Sequence, residues 1–216
     1  MIKDARLVAV YGRRGSGKST RVKALTRACR RLIVFDPRDE YAIDAGLARF
    51  DRLRAMFLAI KRRWSSGFRL AFVPEAGREP EQLHDLVTAL WRAQRPYEQG
   101  RDGRKITLVV EEMDLSYPVR FLPASMQGMT RVCNQGRHVG IDVIGVTQRP
   151  AQISATFRGN ISEAYIFPLA RADDRREILG MIGQEYAEQL RRLPDHHYLR
   201  YENGTVTTGK NRIRPL

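Results

Sequence analysis

The stretch GRRGSGKST, residues 12–20, constrains this chain more than any other. Gly12, Gly15, Gly17, Lys18 and Ser19 fit the pattern G-x-x-x-x-G-K-[ST], in the context that gives the pattern meaning. The apolar run RLVAVYG (6–12) reads as a strand before it, and a helix is expected after it. Glycines let such a loop turn so that successive amides point inward at anionic oxygens. The helix starting near Lys18 adds its dipole and its unsatisfied amides. The candidate nucleotide-binding residues are Gly12, Arg13, Arg14, Gly15, Ser16, Gly17, Lys18, Ser19 and Thr20. Lys18 is expected to reach the β- and γ-phosphates, and the Ser19 hydroxyl to ligate Mg²⁺. A nucleoside triphosphate with Mg²⁺ is the expected ligand.

Short apolar runs alternate with longer amphipathic ones along the rest of the chain. RLIVFDP (31–37), RLAFVP (69–74), KITLVVEE (105–112) and GIDVIGVTQ (140–148) read as further buried strands, and EAYIFPL (163–169) as a sixth. Their nearly continuous apolar character suits parallel strands covered on both faces. Helical spacing joins Leu47, Phe50, Leu53, Phe57, Ile60 and Trp64, and again Leu83, Leu86, Val87, Leu90 and Trp91. A further helix is expected from about 172 to 193, broken at Gly183. QRPYEQGRDGRK (94–105) is polar and glycine-containing, so a mobile basic loop is expected there. HHYLRYENGTVTTGK alternates about Asn203-Gly204, a pair suited to a hairpin turn with positive φ at both positions. The expected fold is α/β: a mainly parallel sheet sandwiched by helices, with a C-terminal β-hairpin. A single domain over 1–216 is expected, its core at about 6–182 and a C-terminal helix and hairpin at 184–210.

The run TLVVEEMD supplies what a phosphate site still lacks. One carboxylate must hold the metal's water shell, and another must polarise the attacking water. Glu111 and Glu112 are adjacent, so on a regular strand they point to opposite sides. Only a twist at the strand's end lets both serve one site. Asp114, past that end, is the second choice for a catalytic acid. A similar question attaches to VTQRP (146–150), where a buried strand ends in polar residues. In open parallel sheets ligands sit beyond the carboxyl ends of the strands. If the strand ending at Gln148 lies beside the loop bearing Lys18, its amide can reach the γ-phosphate or the attacking water; otherwise it caps a turn.

Charge narrows the partners. Thirty-eight basic against 24 acidic residues leave a formal charge of +14, with a pI near 10.4. An excess of that size favours polyanions, meaning nucleic acid or an acidic membrane face. KRRW (61–64) and RDGRK (101–105) are candidate phosphate contacts, each equally consistent with a solvated face. Cys29 and Cys133 have no metal-ligand spacing and read as reduced thiols. No apolar run reaches membrane-spanning length and no leader pattern opens the chain, so a cytoplasmic protein with no membrane span is expected. His138 beside Arg137 is a candidate phosphate or subunit contact, whereas His84, His196 and His197 read as surface or hairpin residues and Trp64 and Trp91 as core.

These residues together resemble the HerA–FtsK superfamily of P-loop ATPases, ring motors that pump DNA. The likeness rests on the phosphate loop, VFDPRDEY, the strand ending in acids, GRHVGIDVIGVTQRP and the following GNISEAYIFPLARADDRREIL, and covers most of residues 6–182. It implies a RecA-like P-loop NTPase core with an additional strand between the phosphate-loop and acidic strands. It also implies a homo-oligomer, a hexameric ring, in which an arginine of one subunit completes its neighbour's site. Arg137, just upstream of the glutamine strand, matches that arginine best; Arg149 comes second, then Arg175 or Arg176. The catalytic set that follows is Lys18, Glu111, Glu112, Gln148 and Arg137, with Ser19 and Glu111 as the Mg²⁺ ligands. The first acid is usually aspartate in this superfamily, and the longer Glu111 shifts its carboxylate relative to the metal.

Within the superfamily the chain resembles most the compact viral genome-packaging ATPases, which move double-stranded DNA into a capsid. Capsid or portal-vertex proteins are the further partners this implies, in host cytoplasm or on the virion. The phage-assembly relatives called zonula occludens toxin-like proteins share the ATPase but typically continue into a membrane helix, which is not expected here. A cellular or plasmid translocase or helicase is the alternative. A small-molecule phosphotransferase fits less well, because it needs neither Gln148 after an acidic strand nor so basic a chain.

Overall fold

The computed structural model describes residues 5–41, 46–120 and 122–211. Its strands are β1 (Leu7–Tyr11), β2 (Arg31–Phe35), β3 (Ala48–Phe50), β4 (Phe68–Phe72), β5 (Ile106–Val110), β6 (Ile141–Thr147), β7 (Glu163–Ile166), β8 (His197–Glu202) and β9 (Thr205–Lys210). They form one sheet in the order β3-β4-β2-β5-β6-β1-β7-β8-β9. From β3 to β7 every pairing is parallel, and β8 and β9 continue the sheet antiparallel. The helices are α1 (Lys18–Thr26), α2 (Leu53–Arg62), α3 (Glu79–Ala93), α4 (Arg95–Glu98), α5 (Met113–Ser116), α6 (Gly128–Val139), α7 (Ala155–Gly159), α8 (Ala172–Ile182) and α9 (Ala187–Arg191).

Alternation along each strand divides the core in two. Leu7, Ala9 and Tyr11 of β1, with Ile33, Leu108 and Val143, face Met56, Leu86, Val132 and Ile178 from α2, α3, α6 and α8. Val8 and Val10, with Val34, Val109 and Val146, face Val22 of α1, Tyr41 and Tyr198. The wholly buried strands β1, β2 and β5 explain the unbroken apolar runs seen in the sequence. The expected α/β sheet with its C-terminal hairpin is present, and Asn203 and Gly204 both adopt positive φ, at 49° and 82°.

Three local expectations need correction. Leu47 and Phe50 do not open a helix. Ala48–Phe50 is an edge strand on β4, and the helix begins at Leu53. Residues 94–105 are not a loose loop. They contain α4 with Tyr97 buried, and the Gln94 side chain donates to the carbonyls of Arg104 and Gly140. His84 is half-buried rather than free on the surface: its Nδ1 accepts the Gly128 amide at 3.0 Å and joins α3 to the start of α6.

Candidate functional site

β1, β6 and β5 lie side by side, with Tyr11 opposite Thr147 and Val110 opposite Gly145. The phosphate-loop strand, the glutamine strand and the acidic strand therefore end together at the carboxyl edge, and β6 is the additional strand between the other two. Among parallel strands this edge is where ligands collect.

At two points the loop at 12–17 leaves no room for a side chain. A Cβ on Gly12 would stand 2.6 Å from Phe167 Cβ and 2.6 Å from Ser16 Oγ. Gly17 has φ +108°, a conformation open to glycine, at the cap of α1. The buried Ser16 hydroxyl donates to the Arg13 carbonyl at 2.8 Å, and Lys18 Nζ donates to the same oxygen at 3.1 Å. Burial lowers the Lys18 pKa, while Glu112, Glu111, Glu40 and Asp114 hold it up. Arg14, Gly15, Ser19 and Thr20 are exposed around the mouth.

Beyond β5 the backbone bends sharply. Glu112 adopts φ 43° and ψ 54°, a left-handed geometry that costs a non-glycine residue on the order of 1–3 kcal/mol. This is the twist that two adjacent acids require in order to share one site. Gln148 Nε2 donates to Glu112 Oε1 at 3.0 Å, joining the end of β6 to the acidic turn. Asp114 is occupied elsewhere: it accepts the Thr147 hydroxyl at 2.5 Å, and that hydroxyl accepts the Arg149 amide at 2.9 Å. The polar run that closes β6 thus ties three segments together.

Glu111 is half-buried in the wall of a cleft. Its Oε1 is buried without a hydrogen-bond partner. Burial pushes its pKa up to about 7, against the opposing pull of the Tyr41 hydroxyl and Lys18. That cleft, of about 440 Å³, runs past Arg14, Lys18, Ser19, Glu111, Glu112 and Gln148. An unpartnered carboxylate oxygen and an exposed hydroxyl on one cleft suit a Mg²⁺ ion that takes its remaining ligands from phosphate and water. Among the described residues no group of three or more His, Cys, Asp or Glu forms a metal cage. A larger cavity, about 680 Å³, lies against Tyr11, Arg158 and Arg176 and contains none of these groups.

The raised Glu111 pKa has a consequence for stability. The folded value, about 7, exceeds the ordinary 4.5. The folded state therefore holds a proton that the unfolded chain releases first, and stability falls as pH rises from 4.5 to 7. At pH 8 the cost is on the order of 3 kcal/mol. Glu111→Gln is expected to raise the nucleotide-free melting temperature at pH 8 and to leave it unchanged near pH 4.5. Equal shifts at both pH values would contradict a buried, ionising Glu111.

The proposed arginines are not all near this cleft. Arg137 is exposed near the end of α6, at the opposite, amino edge of the sheet, and cannot reach its own phosphate loop. Arg149 is paired with Asp173 at 3.0 Å and Asp174 at 2.9 Å. Arg175 donates to the carbonyls of Leu169 and Ala170. Arg176 is exposed near the start of α8.

Several residues at the site were not singled out by the sequence. Asp36 accepts the Tyr41 amide at 2.7 Å, closing the DPRDEY turn so that Tyr41 stands beside Glu111, and Arg38 and Glu40 join the cleft. The motif was visible, but its geometry was not. From the far end of the chain, Asp195 pairs with Arg13 at 2.9 Å, the His196 amide donates to the Ser16 carbonyl, and Asn211 Nδ2 donates to the Gly17 carbonyl at 2.8 Å. His196, expected on the surface, stands behind the phosphate loop at φ 64°.

Comparison with known proteins adds three findings. The model of a family described as zonular occludens toxin (Zot) matches residues 6–197. No curated protein sequence matches the chain. Among solved structures, the genome packaging NTPase B204 from Sulfolobus turreted icosahedral virus 2, in complex with ATP-gammaS, is similar at 19% identity and TM-score 0.72, covering 99% of this chain and 100% of that one. The pCW3 conjugation coupling protein TcpA is similar at 14% identity and TM-score 0.58, over 97% of this chain and 60% of that one. The N-terminal domain of zonular occludens toxin from Neisseria meningitidis is similar at 14% identity and TM-score 0.51, over 97% and 95%. These likenesses show a common fold. Among the described residues no helix is long and apolar enough to cross a membrane.

Proposed function

Because the chain belongs to the zonular occludens toxin (Zot) family, and because its cleft joins a phosphate loop to two acids and a glutamine, we propose that it is an ATP-driven DNA translocase working as a homo-oligomeric ring. The single observation that carries this reading is the Gln148–Glu112 hydrogen bond at 3.0 Å. It links a group able to report the state of the γ-phosphate to a group able to take the water's proton. Double-stranded DNA is the proposed cargo, from the charge of +14 and from the likeness to a protein named as a genome packaging NTPase. Packaging into a capsid is the favoured setting, with capsid or portal-vertex partners and a cytoplasmic or virion-associated location. The Zot match favours the phage-assembly relatives as the second setting. A DNA motor suits both.

In this reading residues 6–182 form the motor core and 184–210 its helix and hairpin. The amides of 13–18 surround the β-phosphate, and Lys18 neutralises charge on the β- and γ-phosphates. Ser19 and Glu111 would hold Mg²⁺, which neutralises phosphate charge and orients it. Glu112 accepts a proton from the attacking water, and Gln148 fixes the Glu112 carboxylate while facing the cleft. Arg137 acts on a neighbour's triphosphate, a contribution of about 10³–10⁵ in rate for arginines of this kind.

The test is hydrolysis with and without duplex DNA, with particles imaged for rings. DNA-stimulated turnover by ring-shaped oligomers is expected, and a monomer whose turnover ignores DNA would sink the proposal. Arg137→Ala should bind nucleotide and fail to hydrolyse it, and mixing it with Lys18→Ala should recover activity. Recovery by Arg176→Ala in its place would reassign the trans-acting arginine, because Arg176 stands at the carboxyl edge.

A further inference from the structure

Each helix that leads into a parallel strand ends at the amino edge of the sheet, opposite the phosphate loop. The segments 27–30, 61–67 and 99–105 meet there, before β2, β4 and β5. KRRW and RDGRK, far apart in sequence, therefore share one shelf.

The shelf is rigidly stitched. The Arg31 guanidinium donates to the Trp64 carbonyl at 2.6 and 3.0 Å and to the Ser65 carbonyl at 3.3 Å. Trp64 Nε1 donates to Asp102 Oδ2 at 3.1 Å, and the Phe68 amide donates to the Arg30 carbonyl at 2.8 Å. On this frame Arg27, Arg30, Lys61, Arg62, Arg63 and Arg101 are exposed. No carboxylate pairs with any of the six among the described residues, whereas the neighbouring Arg104 pairs with Asp102. Like charge is dense enough that Arg104 joins burial in lowering the pKa of the buried Arg31.

We infer that this amino-edge shelf is a binding surface for nucleic-acid phosphates, separate from the nucleotide cleft; that the polymer is duplex DNA rests on the function proposed above. Basic residues at helix ends often only complement the helix dipole, but that effect fades within the last turn. Arg63 caps α2 and falls within that reach, but Arg30 lies three residues beyond the cap of α1 and Arg101 lies in the connection beyond α4. The surplus therefore exceeds what the dipoles explain. An anionic membrane would be expected to recruit apolar anchors beside the charges. Among the described residues the exposed large hydrophobics are Leu58, Leu115 and Val119, and of these Leu58 alone, one turn from Lys61 and Arg62, neighbours the shelf, too little for an apolar anchoring face. Planar guanidinium groups on a fixed frame suit a repeating phosphate backbone, which each can grip through two oxygens.

The test uses the full chain and fluorescein-labelled duplex DNA, with anisotropy measured between 50 and 200 mM salt. Arg62→Ala/Arg63→Ala/Arg101→Ala should bind at least about tenfold more weakly at low salt, with the log–log salt slope reduced by about 2–3. The corresponding triple lysine variant should restore the salt slope, because the charge returns, and regain only part of the affinity, because the two-oxygen grip does not; nucleotide hydrolysis without DNA should be unchanged in both. Unaltered affinity and slope in the alanine variant overturn the shelf, and DNA-stimulated hydrolysis persisting in that variant would leave the motor intact. A loss of binding to phosphatidylserine vesicles with DNA binding unchanged also overturns it, in favour of a membrane. Weakened DNA binding by the alanine variant alongside wild-type hydrolysis that ignores DNA supports the shelf and removes the motor.

Discussion

Lys18→Ala is expected to lower ATP turnover by about 10²–10³, the cost of removing one electrostatic donor from a phosphoryl-transfer site. The local balance of charge explains why the loss should be so large. Lys18 is the cation that Glu112, Glu111, Glu40 and Asp114 all act upon, and Glu111 is held part-way toward ionisation by it. Without the ammonium group, a triphosphate would enter a cleft where Glu40, Glu111 and Glu112 face Arg14 and Arg38 alone. Both nucleotide affinity and the rate of the chemical step should therefore fall. Lysine also bonds the Arg13 carbonyl at 3.1 Å, an interaction that keeps the side chain folded over the loop and that phosphate oxygens would replace. Calorimetric titration with a non-hydrolysable analogue, together with steady-state turnover, separates the two effects. A variant within a few-fold of wild type in both would mean that the loop does not hold the reacting triphosphate.

The sheet was legible because burial on both faces leaves a continuous apolar signature, and β1, β2, β4, β5 and β6 all carry it. β3 was not, because Leu47, Phe50 and Leu53 keep a helical spacing while Ala48–Phe50 pair with β4 through the backbone. Tertiary pairing overrode the local period. The site divides in the same way. Gly12, Lys18 and Ser19 announce themselves through residue type and spacing. Glu112 announces its chemistry but not its left-handed backbone, and the position of Gln148 beside it depends on β6 entering between β1 and β5. The contacts of Asp195, His196 and Asn211 on the phosphate loop had no sequence signal at all. They join residues at opposite ends of the chain through the hairpin β8–β9, and no local pattern encodes such a meeting.

Glu112→Gln should separate binding from chemistry. The amide is nearly the same size as the carboxylate, so nucleotide should still bind, but it cannot accept a proton from water. Loss of a positioned general base costs about 10²–10⁴ in rate. Two local features bear on the size of the effect. Glu112 holds a strained left-handed conformation, which a catalytic carboxylate can justify and a solvated surface acid cannot. It also accepts from Gln148 at 3.0 Å, a bond the amide oxygen can still accept, so the link between β6 and the acidic turn should survive the change. The variant is therefore expected to hold ATP without cleaving it, and to remain on DNA in the nucleotide-bound state if the motor reading is correct. Glu111→Gln gives the contrast: it should weaken Mg²⁺-dependent binding itself, because the lost carboxylate faces the proposed metal position. Single-turnover hydrolysis measured beside nucleotide affinity distinguishes the pair. Chemistry unaffected in the Glu112 variant would pass the base role to Asp114, whose oxygen is engaged by Thr147 at 2.5 Å and would have to be released first.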